Sequence, residues 1–114
     1  MRRGEVRLVD LDPARGSESS KRRPAILVSN DRANAMAARL ERGVVTVVPV
    51  TSNVSRVFAF QVRLAPSSGL AVESKAQAEQ VRPVSVQRLG PALGQLPTGA
   101  MAAVEDALRL HLDL

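Results

Sequence analysis

The sequence contains no cysteine, which excludes a disulfide, a thiolate nucleophile and a thiolate metal ligand. Tryptophan and tyrosine are also absent, and Phe58 and Phe60 are the only phenylalanines. Many proteins that bind single-stranded nucleic acid stack the bases on aromatic rings. If this chain binds such a partner, arginine planes, backbone groups and polar side chains must supply most of the contacts.

Long apolar runs are missing too. No segment has the roughly 18 consecutive apolar residues of a membrane-spanning helix, and no signal-peptide core follows the basic start of the chain. We therefore expect a soluble protein that stays in the cytoplasm, whose reducing conditions suit a chain without cysteine. A length of 114 residues suits one domain, residues 1–114, and 45% apolar residues are enough for one core.

Several familiar ways of cutting RNA need residues that are absent. His111 is the only histidine, so a paired-histidine acid–base mechanism and a histidine-based zinc site are excluded within one chain. The acidic residues are scattered, and the close pair Asp10 and Asp12 is interpreted as strand-end and turn residues, so we expect no metal and no cofactor. A nuclease of this composition should use the 2′-hydroxyl of its RNA substrate as the nucleophile.

Positive charge is concentrated in the first third of the chain. Residues 1–42 contain ten basic and six acidic residues (+4), and the remainder contains six and five (+1), which gives the net charge of +5. A basic surface attracts polyanions such as nucleic acid. The 14 arginines against 2 lysines are equally typical of a GC-rich genome, so charge alone leaves both interpretations open.

The apolar pattern predicts mainly strands. Strands are predicted at 6–11, 24–28, 44–50, 58–64, 70–73 and 76–82, with an exposed loop at 13–22. Within 58–64, the apolar residues alternate with Gln61 and Arg63, which predicts one buried and one polar face. Pro83 predicts a sheet edge. The sum is a small, partly open β-barrel.

Two helices are expected. Residues 32–40 follow the N-cap candidates Asn30 and Asp31, and Gly43 is predicted to end this helix. Thr98 is predicted to cap a terminal helix in which an apolar face packs on the barrel, formed by Met101, Val104 and Leu108. The fold class is therefore mainly β with a C-terminal helix.

A series of short motifs runs along the whole chain in a fixed order. They are Gly4-Glu5-Val6, Val9-Asp10-Leu11-Asp12-Pro13, Gly16-Ser17-Glu18, Arg23-Pro24-Ala25-Ile26-Leu27-Val28-Ser29-Asn30-Asp31, Val48-Pro49-Val50-Thr51-Ser52, Phe58-Ala59-Phe60 and Glu79-Gln80-Val81-Arg82. In this order and spacing the set resembles the MazF/PemK family of toxin endoribonucleases. The resemblance extends from Gly4 to the terminal helix.

The resemblance implies an SH3-like β-barrel of the CcdB/PemK type that forms homodimers. It implies metal-independent cleavage of single-stranded RNA (mRNA, and also rRNA or tRNA) at short sequences. The products would carry a 2′,3′-cyclic phosphate and a 5′-hydroxyl, and cleavage would inhibit translation and growth. It further implies a cognate MazE-like antitoxin whose acidic tail occupies the RNA groove.

Arg23 and Thr51 are matched to catalytic positions of that family, and Glu18 is a further candidate. Arg23 matches the arginine before proline, and a guanidinium fork can hold two oxygens of the phosphorane while charge builds up on it. We expect Arg23 to stabilise this charge and to donate a proton to the leaving 5′-oxygen. Thr51 can hydrogen-bond a non-bridging oxygen. Glu18 is a candidate for accepting the 2′-proton or orienting Arg23, and the proton assignment stays open.

Five further residues are candidates for RNA binding. Ser52, Gln80 and Arg82 match polar positions near the groove, and Gln80 and Arg82 alternate with a valine, which predicts one face of a strand. Lys21 and Arg22 are placed to contact phosphates beside the cut. An ordinary solvated strand face or loop would explain the same residues.

Two alternatives to catalysis remain open at this point. The same barrel architecture serves toxins that poison DNA gyrase by protein contact, although that group is recognised partly by a tryptophan near the C-terminus, which this chain lacks. A catalytically inactive RNA- or antitoxin-binding relative is the other alternative. The recognised RNA sequence is also open, because residues 75–78 (Lys-Ala-Gln-Ala) are more polar than the apolar run common in relatives.

Overall fold

Seven strands and two α-helices follow one another in the part of the chain that this computed structural model describes, which is residues 1–12 and 21–114, with side chains for 1–11 and 22–114. The elements are β1 (Glu5–Asp12), β2 (Lys21–Leu27), α1 (Asp31–Leu40), β3 (Val44–Thr51), β4 (Gln61–Leu64), β5 (Ser74–Gln77), β6 (Arg82–Ser85), β7 (Leu89–Gln95) and α2 (Thr98–Leu112). Short 3-10 turns at Pro66–Ser68, Ala78–Gln80 and Val86–Arg88 connect some of them.

The central strands β2 and β3 are buried on both faces. Along β3, Val48 and Val50 belong to one apolar cluster, whereas Val45 and Val47 belong to another on the opposite face. Because successive side chains of a strand point to opposite faces, a strand covered on both sides needs apolar residues at nearly every position. This explains why these strands appear in the sequence as continuous apolar runs.

One helix covers each face. In α2, Val104 is fully buried in the first cluster, and Met101 and Leu108 pack against it, which confirms the predicted apolar face. On the other side, Ala37 of α1 is buried in the second cluster. Within the described residues neither helix is long and apolar enough to cross a membrane.

The sheet curves until its two edges approach each other. The strand order is β4-β5-β3-β2-β1-β7, with β6 pairing β3 outside this path. The turn after β4 then lies against β7, where a Cβ on Gly69 would stand 2.4 Å from the carbonyl oxygen of Leu93. A Cβ on Gly94 would stand 2.6 Å from the carbonyl oxygen of Ser68. Two glycines thus let backbone meet backbone, which nearly closes the partly open barrel that the sequence predicted.

Several sequence predictions at the β4–β6 region were wrong. Strand β4 begins at Gln61 rather than at residue 58, and Gln61 is buried while Phe58 is 44% exposed, both contrary to the prediction. Within β4, Leu64 is buried and Arg63 is exposed, as predicted. Residues 70–73 are not a strand, and the predicted strand 76–82 is divided between β5, a 3-10 turn and β6. Gln80 and Arg82 therefore do not share a strand face.

Both helix ends also differ from the predictions in detail. Asn30 is confirmed as the N-cap of α1, because its side chain accepts a hydrogen bond from Ala33 N. The helix ends at Glu41, which takes the left-handed conformation, two residues before the predicted Gly43. Thr98 is the first residue of α2, and Pro97 occupies the N-cap position. Strand β7 had no counterpart among the predicted elements.

The contact at Gly69 yields a stability prediction. Gly69 has φ +88° and no room for a Cβ, whereas Gly43 has φ +101° and nothing within 4 Å of a Cβ position. Gly43→Ala should lower the unfolding free energy by about 1–2 kcal/mol through backbone strain alone. Gly69→Ala should lower it by roughly 3 kcal/mol or more, because the clash with β7 adds to the strain. Equal losses in urea unfolding at matched protein concentration would show that the edge contact is not needed.

Candidate active site

A proline ends the pairing of the central strands. β2 pairs with β3 through Leu27↔Val47, Ile26↔Val48 and Ala25↔Pro49. Pro24, the next residue of β2, lacks the backbone N–H that would extend the ladder, and no further pair forms. β3 continues with β5 as its partner on its other edge, through Val50↔Ala76 and Thr51↔Lys75. A gap is therefore left between the end of β3 and the start of β2.

This gap is a cavity of about 360 Å³ that contains the two principal catalytic candidates. Continuing the β2–β3 register by two residues beyond Ala25↔Pro49 places Arg23 opposite Thr51. Both residues line the cavity, together with Pro24, Val50, Ser52, Leu70, Ala71, Val72 and Ser74. The structure thus brings Arg23 to the same cavity as Thr51 and Ser52, from which it is distant in sequence.

The hydroxyl of Thr51 is held by the loop that follows it. Asn53 N donates a hydrogen bond of 3.2 Å to Thr51 Oγ1. The side chain of Asn53 in turn accepts from both Ser55 N, at 3.3 Å, and Ser55 Oγ, at 2.8 Å. Because Thr51 Oγ1 already accepts one bond, its own O–H is oriented away from Asn53 and can donate to an oxygen in the cavity.

One wall of the cavity was not predicted from the sequence. Residues 70–72 and Ser74 form it, and Ser74 Oγ donates to Val72 O at 3.0 Å. This segment follows directly from Gly69, so the contact of the turn with β7 also positions the wall. The sequence predicted a strand at residues 70–73, and this apolar run was the one feature that could have indicated the wall. Val72 of this run is exposed.

The charge at the cavity is positive. Arg23 is exposed and, within the described residues, has no salt-bridge partner. By contrast, Arg3 pairs with Glu105 at 2.5 Å and Arg7 pairs with Glu5 at 2.7 Å on other surfaces. An exposed guanidinium without a counter-ion attracts a phosphate and can bind it through two N–H donors.

The other predicted RNA contacts lie outside the cavity. Arg22 is exposed and pairs with Asp10 of β1. Because Arg22 and Arg23 are successive residues of β2, their side chains point to opposite faces of the strand. Gln80 is exposed on a 3-10 turn. Arg82 pairs with Val47, four residues along β3 from Thr51, which corresponds to roughly 13 Å. Their role in RNA binding stays a prediction.

Two predicted residues fall partly or wholly outside the described part of the chain. Glu18 lies outside it altogether, and for Lys21 only the backbone, the first residue of β2, is described. Their proposed roles therefore stay predictions. Among the residues that are described, no group of three or more His, Cys, Asp or Glu side chains could hold a metal ion.

Two buried polar side chains behind the cavity were missed by sequence reasoning. Gln61 is 8% exposed, accepts from Phe58 N at 3.0 Å and donates to Glu79 Oε2 at 2.8 Å. Lys75 is also 8% exposed, and its ammonium donates to the carbonyl oxygen of Arg56 at 2.6 Å. The bonds to Phe58 N and Arg56 O hold the loop of residues 52–60, which begins at the cavity.

An aromatic row runs from the same loop to the C-terminal helix. The rings of Phe58 and Phe60 stack at 5.4 Å with an interplanar angle of 6°, and the Arg56 guanidinium lies 5.2 Å from the Phe58 ring centre. His111 of α2 lies 6.2 Å from Phe60 and is exposed. His111 is not among the residues that line the cavity.

Comparisons with known proteins agree with this fold over the whole chain. The sequence profile described as a PemK-like, MazF-like toxin of type II toxin–antitoxin systems matches residues 2–112. The endoribonuclease MazF9 of Mycobacterium tuberculosis is 58% identical, over 100% of this chain and 98% of that protein. The endoribonuclease MazF of Staphylococcus saprophyticus is 31% identical, over 100% of this chain and 92% of that protein.

Solved structures show the same architecture. A mycobacterial endoribonuclease in complex with its cognate antitoxin superposes with a TM-score of 0.79 at 24% identity, covering 100% of this chain and 96% of that one. MazF from Deinococcus radiodurans superposes with a TM-score of 0.76 at 25% identity, covering 100% and 97%. These superpositions confirm the expected CcdB/PemK-type fold. With the profile match and the full-length identity, they establish that the chain belongs to the PemK-like, MazF-like family of type II toxins.

Proposed function

We propose that this chain is a toxin endoribonuclease that cleaves single-stranded RNA in the cavity between β2 and β3. The observation that supports this function most directly is that Arg23 of β2 and Thr51 of β3 both line one solvent-open cavity. A cationic fork and a hydroxyl donor that converge on one space suit a phosphate whose negative charge increases during reaction. The full-length relatives named endoribonucleases support the same class of activity.

The proposed reaction is a transesterification within the RNA. The 2′-oxygen attacks the adjacent phosphorus in line with the leaving 5′-oxygen, so one P–O bond forms and one breaks. Arg23 stabilises the charge on the phosphorane and donates a proton to the 5′-oxygen as it leaves. Thr51 donates a hydrogen bond to a non-bridging oxygen. The products are a 2′,3′-cyclic phosphate and a 5′-hydroxyl, without a metal ion or cofactor.

The 2′-proton needs an acceptor. We assign this role to Glu18, or else the orientation of Arg23, on the basis of the family resemblance. A guanidinium stays protonated in proteins and is therefore a poor base, which is why the acceptor must be a different group. The assignment among Glu18, Arg23 and Thr51 rests on the resemblance and on this chemistry.

Neighbouring nucleotides would be bound by the remaining polar candidates. Ser52 lines the cavity itself and can contact the base or phosphate beside the cut. Gln80 lies on a 3-10 turn and Arg82 lies on β6 opposite Val47, so both are outside the cavity and suit nucleotides at a greater distance. Lys21 and Arg22 on β2 complete the basic surface and are proposed to bind flanking phosphates.

A second copy of the chain is the proposed partner of the C-terminal surface. Large apolar side chains are exposed there, with Leu110 at 59% and Leu112 at 48%. Phe58 on the 52–60 loop adds a further exposed ring to the same row through Phe60 and His111. Burial of such side chains is favourable, so a homodimer through this surface would remove them from water.

A cognate MazE-like antitoxin is the proposed inhibitor. The related mycobacterial endoribonuclease is described in complex with its cognate antitoxin. An acidic antitoxin segment would compete with RNA for the same positive groups, Arg23 above all. We further propose that residues 1–114 act as one toxin domain and that they act in the cytoplasm, where translated RNA is found.

The reaction can be tested with defined RNA. The protein, shown to be free of antitoxin, is incubated with a mixed pool of single-stranded RNA in EDTA, and the 5′ ends are mapped. We expect discrete cuts with 5′-hydroxyl ends, unaffected by EDTA. A single deoxyribose immediately 5′ of a mapped cut should abolish that cut, because the nucleophile is missing. Cleavage of the deoxy substrate would contradict the mechanism, and absence of any cut would contradict the function.

Arg23 is tested against an arginine of equal exposure. Arg23→Ala should lower kcat by about 100-fold or more, because the charge stabilising the phosphorane is lost. Arg23→Lys should recover only part of this, since an ammonium cannot bind two oxygens through a planar fork. Arg32 is exposed on α1, and Arg32→Ala makes the same change in net charge. If both alanine variants lose activity equally, Arg23 serves general electrostatics rather than catalysis.

Thr51 is tested by removing only its hydroxyl. Thr51→Val keeps the β-branched shape and should lower kcat by about 10- to 100-fold, with KM within about threefold. Thr51→Ser keeps the donor and should retain most of the activity. Single-turnover rates with a saturating RNA oligonucleotide separate the two parameters. A valine variant as active as the serine variant would exclude the hydroxyl from the reaction.

A further inference from the structure

Lys75 is an ammonium group in an unusual place. It lies on β5 with 8% of its surface exposed, and its hydrogen-bond acceptor in the described residues is a neutral one, the carbonyl oxygen of Arg56 at 2.6 Å. No carboxylate of the described chain lies within salt-bridge distance of it. A charge removed from water without a counter-ion destabilises a fold, and an apolar side chain of similar length would pack here at lower free energy.

Lys75 is also the direct cross-strand neighbour of the proposed catalytic threonine. The β3–β5 ladder ends with the pair Thr51↔Lys75, so both side chains leave the sheet on the same face. The loop of residues 52–60 crosses this face above Lys75. The ammonium therefore contacts the loop near its midpoint, at Arg56, while Thr51 lies where the loop begins.

A short series of hydrogen bonds connects the two. Lys75 Nζ donates to Arg56 O. Ser55, the residue before Arg56, donates twice to Asn53 Oδ1, and Asn53 N donates to Thr51 Oγ1. The far end of the loop is held separately by Gln61. The half of the loop that orients the hydroxyl is thus the half that Lys75 anchors.

We propose that Lys75 is a positioning residue for Thr51. Its ammonium fixes the 52–56 segment of the loop, and this segment holds the Thr51 hydroxyl in the direction from which it donates to the phosphate. The role rests on the proposed ribonuclease function.

Two opposite effects distinguish positioning from structural support. Loss of the ammonium should lower kcat by about tenfold, the effect of one misplaced donor, while KM changes less than about twofold. The same loss should leave the urea midpoint unchanged or raised, because an uncompensated buried charge is removed. A residue with a merely structural role would lower the midpoint instead.

The absence of other cysteines allows a matched chemical test. In Lys75→Cys the thiol is the only one in the chain, so it can be alkylated in urea and the protein refolded. Alkylation with bromoethylamine gives an aminoethyl thioether, which restores the ammonium at the length of lysine. Alkylation with bromopropane gives a propyl thioether of the same length without charge or donor. We expect the aminoethyl form to have wild-type kcat and the propyl form about a tenth of it.

The same comparison in a Thr51→Val background tests the route. If Lys75 acts through the hydroxyl, the propyl and aminoethyl forms should differ by less than about twofold once the hydroxyl is gone. An undiminished tenfold difference would overturn the positioning role, and so would a propyl form with full kcat. Lys75→Met and Lys75→Arg repeat the comparison of an uncharged with a charged side chain without refolding. The arginine variant is expected to have a kcat within about threefold of wild type.

A second measurement does not depend on activity. Hydrogen exchange at the amides of residues 52–58, recorded without RNA, should be faster in the propyl form than in the aminoethyl form, with the β1–β3 amides unchanged. Equal exchange in the two forms would overturn the anchoring role. If the wild-type protein cuts no RNA at all, the proposed function fails, while this measurement still decides whether Lys75 holds the loop.

Discussion

The pairing of β2 with β3, and its abrupt end at Pro24, is the constraint on which the rest of the structure depends. Between Leu27↔Val47 and Ala25↔Pro49 the strands are buried on both faces and share the two apolar clusters. Beyond this point the missing N–H group of Pro24 lets the strands separate, and β3 continues with β5 alone. The rigid core and the open cavity are therefore consecutive parts of one ladder, which gives the cavity walls the precision that positioning of a phosphate requires.

The arginines of the described chain differ in their partners. Arg3 pairs with Glu105 and so connects the N-terminus with α2. At the cavity, Arg23 is exposed and without an acidic partner among the described side chains. An arginine that already had a carboxylate partner would have to exchange it for a phosphate, and the gain on binding would be smaller. The exposed guanidinium is thus consistent with a polyanionic ligand and with an acidic inhibitor that competes for the same place.

The sequence predicted the elements whose signals are local. The apolar runs of β1, β2 and β3, the Asn30 cap and the apolar face of α2 all follow from periodicity and capping within a few residues. The meeting of Arg23 with Thr51 could be expected only through the family resemblance, because it depends on a register between strands. Strand β7 was not predicted, since it contains Gly90, Pro91 and Gly94, which disfavour strands except at an edge, where it lies.

The burial of Gln61 shows why the region behind the cavity resisted prediction. Alternation placed Gln61 in solvent and Phe58 inside, but the amide of Gln61 is satisfied by Phe58 N and Glu79, so that its burial leaves few polar atoms unpaired. Lys75 is also buried, and its ammonium donates to a backbone carbonyl of the loop. Buried polar residues contradict the local pattern and reduce stability, and such conflicts concentrate where a structure serves function. Both side chains bond to the loop of residues 52–60, which also donates to the Thr51 hydroxyl oxygen, so these buried polar groups maintain the loop's geometry.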